Sequence, residues 1–438
     1  MNNYPDALKA TLTSLIDEIS ETPELFVKNP GKDFTRNRKL TLATVIKSLV
    51  SMGGNSIYKE LLESQGYNEH TATTSAFVQQ RDKLLPCVFE FLLHEFTMSH
   101  TNLRTYRGYR LFASDGSILH IPRNPDDIDS YYQTSPDARG CNQLHMTALY
   151  DLQNRIYTDV CVQPIKKHDE YKAFRDMVKR SRFNGRAIII ADRNYESYNN
   201  FANIERKGWN YVIRVKDLTS KNGIIDGLRL KAEGEFDITV HRILTRKKTN
   251  EVKTNPELFK HISPKSPFDF LDKNTNKFYP ISFRVVRFKI AENHFQTVIT
   301  NLCQYEFNAH EIKALYKMRW GIETSFRELK YAVGLNNFHA KHRERIVQEV
   351  FARVIMYNFA EMITSHVIIS KTDTKHVYQV NFTVAIHICR HFLRAWINAP
   401  PFDVEALIRK NTLPVRPDRL NKRNIRCKSA VSFLYRVA

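Results

Sequence analysis

The stretch RAIIIAD, residues 186–192, decides the fold. Three isoleucines between two alanines leave neither alternating face polar. A run this short and this apolar is that of a central strand covered by helices on both sides. It ends on a carboxylate, Asp192. Upstream, YRLFASD (109–115), LHMTALYDL (144–152) and RIYTDVCVQPI (155–165) are short runs rich in apolar or β-branched residues. The first is expected to close on Asp115. HDEYKAFRDMVKRSR (168–182) places Tyr171, Phe174, Met177 and Val178 on one helical face. Downstream, SYNNFANIERKG (197–208) reads as a short helix stopped by Gly208, and WNYVIRVK (209–216) as another strand. The order βββ, α, β, α, β describes an α/β fold class, a mixed sheet with helices packed on its faces.

The flanks are different in texture. Residues 1–105 are expected to be a helical N-terminal DNA-binding region: Leu8, Leu12, Leu15, Ile16 and Ile19 make one apolar face, and Leu42, Ile46, Leu49 and Val50 a second behind a Thr41 N-cap. Paired glycines in SMGGNS (51–56) interrupt the pattern, and without a following Gly-Lys-Ser/Thr they are no phosphate-binding loop. SIYKELLES (56–64) and TTSAFVQQRDKLL (73–85) look like further short helices, after a basic run, KNPGKDFTRNRKL (28–40). Residues 106–216 hold the first part of the sheet. Residues 217–308 break the alternation with strand-like runs at 223–234, 235–244, 278–290 and 294–302, around a polar stretch at 246–279 expected to be flexible. A helix at 309–340 follows, then a helical C-terminal region, 341–438. Its last part, from 409 to 436, carries nine basic residues against one acid.

Composition narrows the partners. Lys plus Arg exceed Asp plus Glu to give a formal net charge of +20, which favours a polyanion, nucleic acid first. No stretch approaches the roughly 18 apolar residues of a membrane span; VIMYNFAEMITSHVII (354–369) is interrupted by Glu361 and reads as a core helix. The N-terminus has no secretory pattern, and the six cysteines are too scattered for a zinc site or a disulfide framework. A reduced, cytoplasmic location is expected.

The segment YKMRWGIETSFRELK, residues 316–330, carries the chemistry. On an ideal helix Tyr316, Arg319, Glu323 and Lys330 lie within roughly 60° of one another. Beside them runs an apolar stripe, Leu315, Met318, Ile322, Phe326, Leu329 and Val333. An Arg–Glu pair four residues apart is also what a solvated helix face shows. Asp115 and Asp192 shift the balance. Sites in open sheets form at the carboxyl ends of strands, and a carboxylate at the end of an apolar run is costly to desolvate unless it is paired or binds a cation. Either aspartate alone is equally a turn or cap residue. Two aspartates and a glutamate together are the hard oxygen set that Mg²⁺ or Mn²⁺ prefers.

At these residues a resemblance emerges. Tyr316-x2-Arg319-x3-Glu323-x6-Lys330 resembles the Y-R-E-K signature of DDE transposases of bacterial insertion sequences, insertion sequence family four. SDGSILHIP (114–122) and IIIADRNYES (188–197) resemble the two aspartate segments of that family, 77 and 131 residues apart from one acid to the next. SAFVQQRDKL (75–84) is similar to a segment of its N-terminal domain.

The resemblance implies an RNase H-like catalytic core interrupted by a β-rich insertion. It makes Asp115, Asp192 and Glu323 the catalytic, Mg²⁺-binding triad, with Mn²⁺ as a substitute. Tyr316, Arg319, Lys330 and Arg193 become DNA contacts. It implies cut-and-paste transposition at terminal inverted repeats, through a hairpin, by a homodimer that holds the two element ends and captures target DNA, without a membrane partner. Two departures stand out. Asn194 replaces a frequent glycine, a change that left-handed backbone tolerates. The insertion has Phe295 and no tryptophan where some relatives stack a flipped base; plain β core is the other reading of Phe295. Trp320 reads as packing, and His120, His145 and His168 match no metal motif. The alternative to an enzyme is a transposase-derived DNA-binding repressor or inhibitor without catalysis. A stand-alone RNase H-like nuclease fits the long insertion and basic flanks poorly.

Overall fold

The computed structural model describes residues 3–36, 38–137, 139–218, 223–230, 234–369, 377–395, 400 and 402–415. Most of the basic C-terminal run, from 416 on, lies outside the described residues, as does Cys427. Strands are β1 (Arg110–Ile121), β2 (Tyr131–Tyr132), β3 (Cys141–Asp151), β4 (Ile156–Pro164), β5 (Ala187–Ala191), β6 (Asn210–Arg214), β7 (Phe236–Thr245), β8 (Phe259–His261), β9 (Phe278–Ala291), β10 (His294–Thr300), β11 (Tyr378–Val380) and β12 (Thr412–Pro414). Helices are α1 (Asn3–Glu21), α2 (Leu42–Ser51), α3 (Ile57–Ser64), α4 (Thr74–Arg81), α5 (Cys87–Met98), α6 (Glu170–Arg180), α7 (Tyr198–Arg206), α8 (Asn250–Thr254), α9 (Ala309–Met318), α10 (Trp320–Tyr331), α11 (Arg343–Thr364), α12 (Phe382–Arg394) and α13 (Val404–Lys410). Among the described residues, no helix is long and apolar enough to cross a membrane.

Every residue of β5 is fully buried. On one face Ile189 joins Phe174, Met177 and Val178 of α6 and Phe201 and Ile204 of α7. On the other, Ile188 and Ile190 join Ile312, Leu315 and Tyr316 of α9. Each isoleucine so covered contributes roughly 1.5–3 kcal/mol. β4, β3, β1, β5 and β6 lie side by side in that order. The first three pair antiparallel, and β5 and β6 follow parallel to β1. This is the RNase H-like arrangement, a mixed α/β sheet flanked by helices.

The sheet does not stop at β6. β10 pairs antiparallel with β6 through Thr300↔Val212, Ile299↔Ile213 and Val298↔Arg214, and β9, β7 and β8 continue outward. Several expectations need correction here. Residues 223–230 form turns and no strand, with Ile224 and Ile225 anchoring them in the core. The polar stretch at 246–279 is tied down: it contains α8 and β8, and Asp269 accepts from Asn199 and Asn203 of α7 at 3.1 Å each. Tyr171 points outward, 41% exposed, because α6 needs only its Phe174–Val178 side to cover the sheet.

α11 is the spine of the helical part. It is buried along nearly its whole length and packs on α2, α5, α12 and β4. Polar links fix it. Arg81, buried at the end of α4, donates to Glu349 at 2.8 Å and to Gln348 at 2.9 Å. Glu349 also accepts from the backbone of His339 and Ala340. Burial works against its charge, but Arg81, the His339 side chain and Arg353 hold its carboxyl far below the usual range. Arg81→Met leaves Glu349 buried without its cation and is expected to lower stability by about 3–5 kcal/mol. A urea midpoint within error of wild type would contradict that.

Candidate active site

β1 and β5 are parallel neighbours, and their last paired residues are Ser114 and Ala191. Asp115 and Asp192 are the next residue on each strand. Alternation places them: Leu111, Ile188 and Ile190 face α9, so residues at even steps from these share that side of the sheet. One expectation fails. Asp115 does not close its strand, because β1 runs on to Ile121 against β3, with Asp115 opposite Ala148. What ends at Asp115 is the parallel partner, and that opens the site. Asp192 does follow the end of its strand. Its Oδ1 accepts from the Asn194 N–H at 2.8 Å and caps a single turn, Arg193–Tyr195, that leaves Arg193 exposed. Asn194 is not in the left-handed region, so that explanation of the residue falls away.

The spacing of residues 316–330 predicts one unbroken helix. The segment is two, α9 and α10, joined at Arg319 (φ −48°, ψ −35°). The N–H of Arg319 bonds to the Tyr316 carbonyl and that of Ile322 to the Arg319 carbonyl, both at 3.1 Å and only three residues back, so the helix tightens there. The cause is packing. α9 is held against the sheet, whereas Ile322, Phe326 and Leu329 of α10 pack into the core built by α11 and the N-terminal helices. Gly321 lets α10 come close, since a Cβ there would lie 2.8 Å from Leu152 Cδ2.

Arg319 then points into the space between the acids. Its Nη1 lies 3.3 Å from Asp115 Oδ2 and its Nη2 2.5 Å from Glu323 Oε1. Burial works against its charge, but Glu323, Tyr316 and Asp115 hold its pKa above the usual value. Its Nε is buried without a partner. Burial pushes the Asp115 carboxyl up to about 6; Arg319 and the Gly116 N–H oppose this, and nearby Asp192 and Glu323 add to it. Burial of the Asp115 carboxyl therefore outweighs the guanidinium beside it.

Other expected residues fall nearby. Lys330 donates to the Ile118 carbonyl at 3.0 Å and ties α10 to β1 beyond Asp115. Tyr316 is 6% exposed, and burial raises its hydroxyl pKa. Trp320 is not a packing residue: it is 56% exposed, with the Arg319 guanidinium 5.2 Å from its ring centroid. Phe295 is half-buried beneath the Arg287 guanidinium, 4.3 Å from its ring centroid. Among the described residues, the group whose His and carboxylate ligand atoms all lie within 4.8 Å of one another is Glu90, His94 and Asp159. There Arg180 already supplies the cation, 2.6 Å from Asp159 and 3.1 Å from Glu90. Asp115, Asp192 and Glu323 stand further apart.

Sequence reasoning missed a fourth carboxylate. Glu170 begins α6, accepts from the Tyr195 hydroxyl at 2.6 Å, and has a raised pKa through burial, with Asp192 adding to it. It and His145 close over Gly116: a Cβ there would lie 2.6 Å from Glu170 Oε1 and 2.7 Å from His145 Nε2. The His145 ring lies tilted by 30° against His168, ring centroids 4.7 Å apart, and burial with that neighbour lowers its pKa to about 4. An acid in the first turn of a helix is too common to have marked Glu170.

The transposase DDE domain family matches residues 106–359, from just before β1 into α11. The chain belongs to this family. Within the DDE domain lie both aspartates, the glutamate helix and the outer strands. Among solved structures, a piggyBac transposase described as a synaptic complex with hairpin DNA is similar at a TM-score of 0.46 and 9% identity, over 92% of this chain and 84% of that one. Curated proteins give no match.

Asp115 yields a pH test. Its folded pKa is above that of an unfolded carboxyl, so the folded chain binds the extra proton between pH of about 4 and about 6. The stability this contributes is present in acid and lost as pH rises through 6. Relative to Asp115→Asn, the wild type should lose roughly 2 kcal/mol from about pH 4 to about pH 7. A pH-independent difference in urea midpoint would remove the desolvated carboxyl from this account.

Proposed function

We propose that this chain is a transposase of the insertion sequence family four type, moving its element by cut-and-paste transposition. The observation that carries the reading is the shared register of Asp115 and Asp192 on parallel strands, on the face where α10 brings Glu323 beside a buried cation. The family supports the reaction class; the residue roles are proposed from geometry and from the Y-R-E-K spacing.

The donor set fits divalent metal. Three carboxylates offer hard oxygens, Asp115 is poorly solvated, and Arg319 already occupies the position between two of the acids as a positive charge. Asp115, Asp192 and Glu323 would hold Mg²⁺, with Mn²⁺ as a substitute. When bound, such ions activate a water or 3′-hydroxyl and stabilise the leaving oxygen of a phosphodiester.

The chain's own residues do the positioning. Arg319 presents a forked donor suited to two phosphate oxygens and fixes the rotamer of Glu323. Lys330 holds β1 and α10 in register and lies on the same helix stretch as a second phosphate contact. Tyr316 backs Arg319 from the α9 side, and exposed Arg193 extends the basic rim at Asp192. Double-stranded DNA bearing terminal inverted repeats is the substrate, hairpin ends are the intermediate, and a homodimer synapses two ends before transfer into target DNA.

The test uses purified protein and DNA carrying the terminal repeats of its element, with Mg²⁺ or with EDTA. Metal-dependent cuts at the repeat boundary are expected, with hairpins visible on a denaturing gel. Glu323→Gln should reduce cutting by on the order of 10³-fold or more and leave end binding intact. Cutting at the wild-type rate by that variant would remove Glu323 from the centre. Specific binding without cutting in either metal would favour a non-catalytic DNA-binding descendant.

A further inference from the structure

β1 and β5 pair for the last time at Ser114 and Ala191. Asp115 and Asp192 stand one residue further on, where no ladder bond joins the two strands. Carboxylates at one level repel each other, so their spacing has to be fixed from outside the ladder. Asp115 keeps support, because β1 runs on against β3. Asp192 lies beyond the end of β5, at the start of the single turn Arg193–Tyr195.

Tyr195 holds that turn. Its side chain is fully buried, its ring centroid lies 5.0 Å from that of Phe174 in α6, and its carbonyl accepts from Asn200 Nδ2 at 2.9 Å. Its hydroxyl donates to Glu170 Oε1 at 2.6 Å, a short bond of the charge-assisted kind. Burial first, and then Glu170, raises the hydroxyl pKa well above the usual value, so the hydroxyl stays a donor.

Glu170 meets the other strand with the same oxygen. A Cβ on Gly116 would lie 2.6 Å from Glu170 Oε1, so the carboxyl packs there against backbone that only glycine leaves bare. The Gly116 N–H in turn donates to Asp115 Oδ1 at 2.9 Å. One oxygen therefore touches the residue that bonds Asp115 and the side chain that ends the Asp192 turn. The start of α6 fixes Glu170 itself. Asp169 caps the helix by accepting from the Lys172 N–H at 2.8 Å, and the Asp169 N–H donates to Gln163 Oε1 at 3.1 Å.

A carboxylate is an unfavourable filler for this gap. Burial raises its pKa, the Tyr195 bond opposes this, and Asp192 adds to it. An apolar side chain would fill the space without repelling two acids. It could not accept from Tyr195, and the buried hydroxyl would lose that partner.

We propose that Glu170 is a positioning residue for the cation-binding acids, bracing Asp192 against Asp115 through the Tyr195 hydroxyl and the Gly116 backbone. The proposal rests on the transposase reading, in which those two aspartates hold the ions, and adds a residue outside the Y-R-E-K spacing.

The test separates position from charge. Mn²⁺ is titrated into the full chain, with two readouts: the rise in unfolding temperature on metal binding, and the cutting of DNA that carries the terminal repeats. Glu170→Ala and Tyr195→Phe should each raise the Mn²⁺ midpoint of both readouts by about 10- to 100-fold. The double variant should be no worse than the weaker single one, because both substitutions remove the same bond. Glu170→Gln keeps an acceptor for Tyr195 and should recover most of the loss. A lowered metal-free unfolding temperature in Tyr195→Phe with wild-type Mn²⁺ midpoints would show a merely structural bond and overturn the proposal. Losses that add in the double variant overturn it too. Glu170→Gln as impaired as Glu170→Ala, beside an unimpaired Tyr195→Phe, overturns it in favour of a metal ligand at Glu170. A wild-type chain that neither binds Mn²⁺ nor cuts repeat DNA sinks the transposase reading on which the brace depends. A wild-type chain that does both, beside unaltered variants, sinks the brace alone.

Discussion

β5 has no polar surface to offer water, and the rest of the molecule is organised by that constraint. Five consecutive residues, Ala187–Ala191, require cover on both faces. α6 and α7 supply one layer and α9 the other. The first residue after the apolar run is also the first place where charge is tolerable, because the helices no longer cover the strand there. Asp192 stands at that place, and Asp115 reaches the same level on the neighbouring strand. The location of the acids is therefore a property of the core before it is a property of chemistry.

Arg319 belongs to the same logic. It sits where a helix passes from one hydrophobic core to another, and the tightened turn at that junction aims its side chain between Asp115 and Glu323. A guanidinium with a buried, unpartnered Nε is held by position rather than by a full set of hydrogen bonds. The raised pKa of Asp115 records mainly its burial, which the Arg319 charge offsets only in part.

Much of this was legible in the sequence, for identifiable reasons. The strands of the core and the apolar face of α10 follow local periodicity, and both aspartates lie in segments whose pattern is local. The extension of β1 past Asp115 was not legible, since it depends on pairing with β3, whose register no local pattern states. The break at Arg319 was hidden because Gly321 looks like any helical glycine until Leu152 is placed against it. The exposure of Trp320 and the nearness of Glu170 to Asp192 are likewise products of tertiary packing. The polar segment before β9 looked loose by composition, yet two asparagines of a distant helix hold it through Asp269.

The pairing of β6 with β10 joins residues 84 to 88 positions apart by way of three rungs, Arg214 to Val298 the shortest in sequence. Contacts so distant along the chain form after local ones, because loop closure must come first. β10 leads directly into α9 and α10. During synthesis, then, the two aspartates emerge and find their sheet well before the outer meander is complete, and the glutamate helix docks only once that meander has returned the chain to β6. A ribosome-bound fragment carries two of the three acids and nowhere to seat the third. The order of assembly itself delays the meeting of Glu323 with Asp115 and Asp192 until the whole sheet exists.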